Sequence, residues 1–329
     1  MLNPDLKLNP KLFDQDVETK ATRAGYGEGL LALGEKNPNV VALSADLTES
    51  TYAHLFAEKF PDRFFQCGVA EQNMAAIAAG LAMNGKIPFM SSYATFSPGK
   101  NWETIRTTII YNNANVKMAG HHAGIMTGPD GATHQATEDI AIVRSWPNIK
   151  ILVPCDSIEG KKVTISASEI EGPVYLRFTR DKTPIMTTSE TLFEIGKIQT
   201  FWTNDNPVAT IFATGYMLYY ALLAARELEK EGIQVLVTNV STIKPLDEKT
   251  ILALAQQTKA FVTVEDHQVM GGLGGTIAEF TAKNIPTPME FVGLADTFAE
   301  SGKPAELIAK YGMGKDNIKE AVKKVINRK

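Results

Sequence analysis

The sequence predicts an α/β protein made of two tandem three-layer α/β/α units, on three observations. Apolar, strand-like runs alternate with helix-like segments from about residue 18 onward, a pattern that places helices on both faces of a mostly parallel sheet. The alternation weakens after residue 181 and then resumes. This divides the chain into an N-terminal extension (1–17), a first unit (18–185), a linker (186–206) and a second unit (207–329). With 329 residues, 44% of them hydrophobic and 21% charged, the chain can build two ordinary soluble domains with cores of normal depth.

The elements follow in order. Residues 18–35 read as a helix that stops before Asn37-Pro38, because the residue before proline is disfavoured in helical conformation. VVALSAD (40–46) is a buried strand, 52–59 a short helix, and RFFQCGV (63–69) a second strand. EQNMAAIAAGLAMNG (71–85) is an alanine-rich helix closed by Gly85. Strands are predicted at 87–93, 116–122, 149–155 and 174–180, with helices at 102–111 and 157–170. Residues 186–206 are polar, with short extended pieces. The second unit has strands at 208–214, 233–240, 260–266 and 289–294, and helices at 216–231, 247–257, 274–283 and 315–327.

The net charge of −4 argues against nucleic acid as the main partner, which favours a basic surface. Two cysteines, Cys67 and Cys155, cannot form a disulfide framework and suit a reducing compartment; both are expected as small buried hydrophobes. No His/Cys spacing resembles a zinc site. The N-terminus lacks an apolar signal core, and no run approaches a membrane span, so a cytoplasmic location is expected.

Open α/β sheets bind ligands beyond the C-terminal ends of their strands. In the first unit this marks 44–50, 68–74, 91–96, 121–134, 155–157 and 180. Glu71 opens the helix after RFFQCGV, where the helix dipole favours a carboxylate by roughly 0.3–1 kcal/mol. Met74, Ala75 and Ala78 share its helix face, so the carboxylate points inward and needs a partner or a proton. Tyr93 and Phe96 follow a strand end three residues apart. HHAGIMTGPDGATHQ (121–135) carries three of the five histidines, an Asp and three glycines with almost no regular pattern.

GVAEQNM (68–74) resembles the cofactor-activating segment of transketolase-type thiamine diphosphate enzymes, in which a Glu follows Gly-Val/Ile-x. DGATHQ (130–135) is similar to the Asp-Gly-x-Thr-His pattern of transketolases and deoxyxylulose-phosphate synthases. The likeness runs over about 18–325. It implies a thiamine pyrimidine-binding domain followed by a transketolase C-terminal domain. It further implies that Glu71 bonds N1′ of the cofactor's aminopyrimidine, with Tyr93 and Phe96 packed on that ring. Asp46 and Leu47 of the SADL segment would face the thiazolium region. Asp130 would meet a sugar hydroxyl, and His134 would stand near the reacting carbons. His122, Arg23, Ser50 and Arg180 would bind sugar phosphate, arginine suiting it through its bidentate fork. Histidine switches charge near pH 7, which suits proton shuttling and phosphate binding. Ala70 and Gln72 flank the Glu where long single-chain transketolases usually have Arg and His, which is closer to split transketolases and the synthases.

Enzymes of this resemblance anchor the cofactor's diphosphate through Gly-Asp-Gly and a downstream Asn that ligate Mg²⁺ or Ca²⁺. The sequence has no such motif, so no metal ligand is assigned to this chain. The expectation is a partner: an N-terminal transketolase subunit carrying Gly-Asp-Gly, in an α2β2 assembly. GGLGG (271–275) and VEDH (264–267) are read as a tight turn and a packing or assembly element. The alternatives are a subunit of another two-chain thiamine enzyme, such as a synthase or a 2-oxo acid dehydrogenase β subunit, and a catalytically silent assembly subunit.

Overall fold

A computed structural model describes residues 1–329. The first sheet has seven strands in the order Thr242–Lys244, Lys150–Leu152, Val174–Arg177, Lys117–His121, Ile87–Tyr93, Val40–Ser44 and Phe64–Gln66. All pair in parallel except Thr242–Lys244, which is antiparallel to Lys150–Leu152. Thr22–Lys36 and Ser157–Ser168 cover one face, burying Tyr26, Leu30, Leu33, Val163 and Ala167 against the strands. On the other face lie Glu71–Met83, the helical run 102–110 and Asp139–Arg144. The second sheet orders Met289–Leu294, Phe261–Gln268, Ala209–Ala213, Val235–Asn239 and Gln199–Trp202, the last antiparallel. Met217–Lys230 and Lys315–Ile326 pack on one side, Glu248–Thr258 and Leu273–Asn284 on the other. Both units are therefore three-layered, as the alternation predicts. No helix is long and apolar enough to cross a membrane.

Tertiary pairing changes several boundaries. Thr19–Ala21, expected as the start of a helix, is a strand antiparallel to Lys182–Pro184, and the helix begins at Thr22. The stretch expected as a linker contributes the strand Gln199–Trp202 to the second sheet. Residues 1–17 are no loose extension: Leu2 bridges Trp202, and Leu12 is fully buried in the second unit's core. The second unit in turn lends Thr242–Lys244 to the first sheet, and one core includes Met74, Ile105 and Tyr175 together with Phe212, Ile243 and Phe261. The expected strand 63–69 shortens to Phe64–Gln66 at the sheet edge, and Cys67 after it is half-buried rather than core, whereas Cys155 is buried.

Candidate active site

The strands Val40–Ser44, Phe64–Gln66, Ile87–Tyr93, Lys117–His121 and Val174–Arg177 all end on one edge, and every candidate residue except Arg23 closes or follows one of them; Arg23 joins from the first helix. Glu71 is the first residue of Glu71–Met83. It shares the buried face with Met74, Ala75 and Ala78, as the spacing predicts, and only 2% of it is exposed. Lys100 supplies its partner: Nζ donates to Glu71 Oε2 at 2.8 Å from a half-exposed side chain. Asn101 Nδ2 donates to the Glu71 carbonyl at 2.9 Å and to Ser97 Oγ at 3.3 Å, fixing the helix start to the turn that carries Lys100. Sequence reasoning missed Lys100. The signal was available: an inward carboxylate requires a cation within reach, and a lysine stands four residues past Phe96.

Tyr93 and Phe96 present nearly parallel rings, 16° apart with centroids 5.9 Å apart. His122 stacks on Tyr93 at 3.8 Å, and His134 stands edge-on to Phe96 at 5.4 Å and to Tyr93 at 6.1 Å. Thr133 Oγ1 lies 2.9 Å from His134 Nδ1. His122 is buried in left-handed backbone (φ 53°), with no partner for its Nδ1. Burial, then the charges of Arg23, Arg180 and His134, hold its imidazole far below the usual range, at about 2. It is therefore held neutral at ordinary pH, where charge switching near pH 7 was expected. His121 is a packing residue, its ring between Tyr26 and Phe178.

The basic groups converge on a separate pocket of about 330 Å³ lined by Arg23, Met126, Thr127, Pro129, Arg180, Asp181 and Pro304. Arg23 donates to the carbonyls of Ser50 and Arg180 and lies over the Tyr52 ring at 5.4 Å. Arg180 pairs with Asp130 at 3.3 Å and donates to the Thr127 carbonyl at 2.8 Å. Asp46, in left-handed conformation, and Leu47 form a turn after Val40–Ser44: Asp46 N–H donates to Gln66 Oε1 and Leu47 N–H to Ser44 Oγ. The structure thus unites Glu71 with Lys100, Tyr93 and Phe96 with His122 and His134, and Arg23 and Ser50 with Arg180 and Asp130.

The 155–157 strand end, marked as a ligand location, serves architecture instead, and the GGLGG turn is closed by the chain's own carboxylate. Asp156 of the 155–157 loop caps its helix and accepts from Met186 N, Thr187 N and Thr187 Oγ1; nearby Glu159 accepts from Cys155 N and from Asn239 and Ser241 of the second unit. The helix that begins within GGLGG, at Leu273, has its start filled from within, because Leu273 N and Gly274 N donate to the buried carboxylate of Glu265. No group of three or more His, Cys, Asp or Glu side chains is arranged to hold a metal ion.

Two family models match the chain: transketolase, pyrimidine binding domain, over 18–186, and transketolase, C-terminal domain, over 202–318. A protein of Methanocaldococcus jannaschii described as a transketolase C-terminal section is 45% identical over 307 residues, covering 92% of this chain and 95% of that one. Human transketolase is 34% identical over 322 residues, covering 97% of this chain and 51% of that one. A solved split-gene transketolase, described as an inactive β4 tetramer, superimposes with a TM-score of 0.87 at 42% identity, covering 93% of this chain and 98% of that one.

Proposed function

The chain belongs to the transketolase family, as a C-terminal section of the kind found in split transketolases, and from that premise we propose that it carries the aminopyrimidine and sugar-phosphate half of a thiamine diphosphate site. The observation that carries the reading is Glu71: a buried carboxylate at a helix start, in the same strand-end cluster as the paired faces of Tyr93 and Phe96. A flat ring with a basic nitrogen fits that donor set. When bound, thiamine diphosphate would supply the carbanion equivalent that takes up a two-carbon ketol unit from a ketose phosphate and hands it to an aldose phosphate. Glu71 would hold a proton at a carboxyl oxygen toward N1′, while Tyr93 and Phe96 grip the ring by stacking, worth roughly 0.5–1.5 kcal/mol beyond area burial. Asp46 and Leu47 would border the thiazolium side. His134 would exchange protons with the reacting oxygens, and neutral His122 would orient the sugar through hydrogen bonds. Arg23, Arg180 and Ser50 would hold phosphate, and Asp130 a hydroxyl.

We assign the diphosphate and its Mg²⁺ or Ca²⁺ to a partner subunit bearing Gly-Asp-Gly, in an α2β2 heterotetramer. Hard cations need convergent oxygens, and this chain's site groups are committed to the ring and the sugar phosphate. The two free cysteines suit a reducing compartment, and we place the assembly in the cytoplasm. The test is reconstitution with the N-terminal subunit, assayed with xylulose 5-phosphate and ribose 5-phosphate. The chain alone should show no transfer even with cofactor and Mg²⁺, and the complex should turn over. Glu71→Ala in the complex should keep cofactor binding but lose at least about 100-fold in kcat, the range for a positioned acid–base group. Full activity of the single chain would overturn the split-site assignment, and near-normal rates for Glu71→Ala would remove Glu71 from the chemistry.

A further inference from the structure

The VEDH segment lies at the end of the second unit's strand Phe261–Gln268, yet it reaches the loop that carries His122, Asp130 and His134. Asp266 is 2% exposed. Its Oδ1 accepts the Ile125 N–H at 2.9 Å, and its Oδ2 accepts the Met126 N–H at 3.2 Å and the Tyr216 hydroxyl at 2.9 Å. Two loop amides buried away from water would be costly if left unpaired, and one carboxylate satisfies both. Gly124 permits the approach. Its φ is 76°, and a Cβ there would sit 2.0 Å from Asp266 Oδ2. Arg177 locks the same corner by donating to the Asp266 carbonyl at 2.8 Å and, through Nε, to Asp139. The far end of the loop is held from the second unit as well: Gln268 N–H donates to the Thr137 carbonyl at 2.7 Å, and Gln135 Nε2 to the Glu300 carbonyl at 3.1 Å. Between these anchors the Thr127 hydroxyl bonds the His122 carbonyl at 2.6 Å, and the Thr127 carbonyl receives Arg180.

We propose that Asp266 is a positioning residue for the sugar-phosphate site, through which the second unit fixes the 123–137 loop and so sets the stance of Asp130, His134 and Arg180. For its substrates this rests on the transketolase reading above. Asp266→Asn keeps the shape but turns an amide N–H toward a backbone N–H; Gly124→Ala drives the same anchor apart from the loop side. Both are measured in two ways: amide hydrogen exchange on the chain alone, and steady-state kinetics and cofactor affinity in the reconstituted complex. In both variants exchange should quicken at least tenfold at Ile125 and Met126 while the amides of Val40–Ser44 keep their protection. KM for the sugar phosphates should rise at least tenfold, with cofactor affinity changed less than twofold. Unchanged KM alongside faster loop exchange overturns the positioning role, as does loss of protection at Val40–Ser44 in step with the loop, which would mark a merely structural residue. Unchanged exchange at Ile125 and Met126 overturns the anchor itself. A wild-type complex with no ketol transfer would refute the functional reading, leaving the exchange result to decide the anchor.

Discussion

His122 shows how surroundings overrule a side chain's ordinary chemistry. Enclosed against Tyr93 with Arg23 and Arg180 nearby, it stays neutral in the folded chain down to about pH 2. In the unfolded chain it takes a proton near pH 6.5. Below that value the unfolded state binds one more proton than the folded state, so stability is full above pH 6.5 and declines as pH falls. Replacing His122 with Gln removes that proton. Between pH 5 and 6 the slope of unfolding free energy, from denaturant titrations, should flatten by about 1.4 kcal/mol per pH unit. An identical slope would show that His122 protonates in the folded protein. Lys100 meets a different need: its Nζ donates to Glu71 Oε2 at 2.8 Å, giving the inward-facing carboxyl group a polar partner.

At the scale of elements, the tightest contact is between the helices Thr22–Lys36 and Ser157–Ser168. A Cβ on Gly25 would fall 1.9 Å from the Ser157 carbonyl oxygen. That closeness holds Arg23, two residues earlier, at the rim of the pocket it lines with Arg180. Backbone cannot yield as a side-chain tip does, so Gly25→Ala should cost at least about 1–3 kcal/mol by forcing the helices apart. A thermal or denaturant melt measures it, and an unchanged midpoint would refute the close packing. The glycine-rich turn at 271–275 shows an element whose candidate ligand was internal: Glu265 occupies its N–H groups, and burial raises that carboxyl to about 7.

The molecule as a whole is bound more closely than two beads on a linker. The strand Thr242–Lys244 crosses into the first sheet, one core draws on both units, and the N-terminal segment lies on the second. A single cooperative unfolding transition is expected for such an arrangement. Leu12→Ala, at a fully buried position in the second unit's core, should lower that one transition by about 2–5 kcal/mol without splitting it. Calorimetry checks this, and two separated transitions would show that the units unfold independently.

Sequence alone was enough for the two three-layer units, the strand ends where the candidate residues gather, the inward turn of Glu71 and the family. These depend on local periodicity and short motifs, which a single chain displays directly. The aromatic pair and the Asp130–His134 segment were legible for the same reason. It took the folded chain to reveal that Lys100 meets Glu71, that 186–206 is partly strand, that Thr242–Lys244 joins the other sheet, and that Asp266 bonds the loop from 140 residues away. Each of these joins residues distant in sequence or out of register with any local pattern. Burial and charge balance select such pairings only once the whole chain is packed.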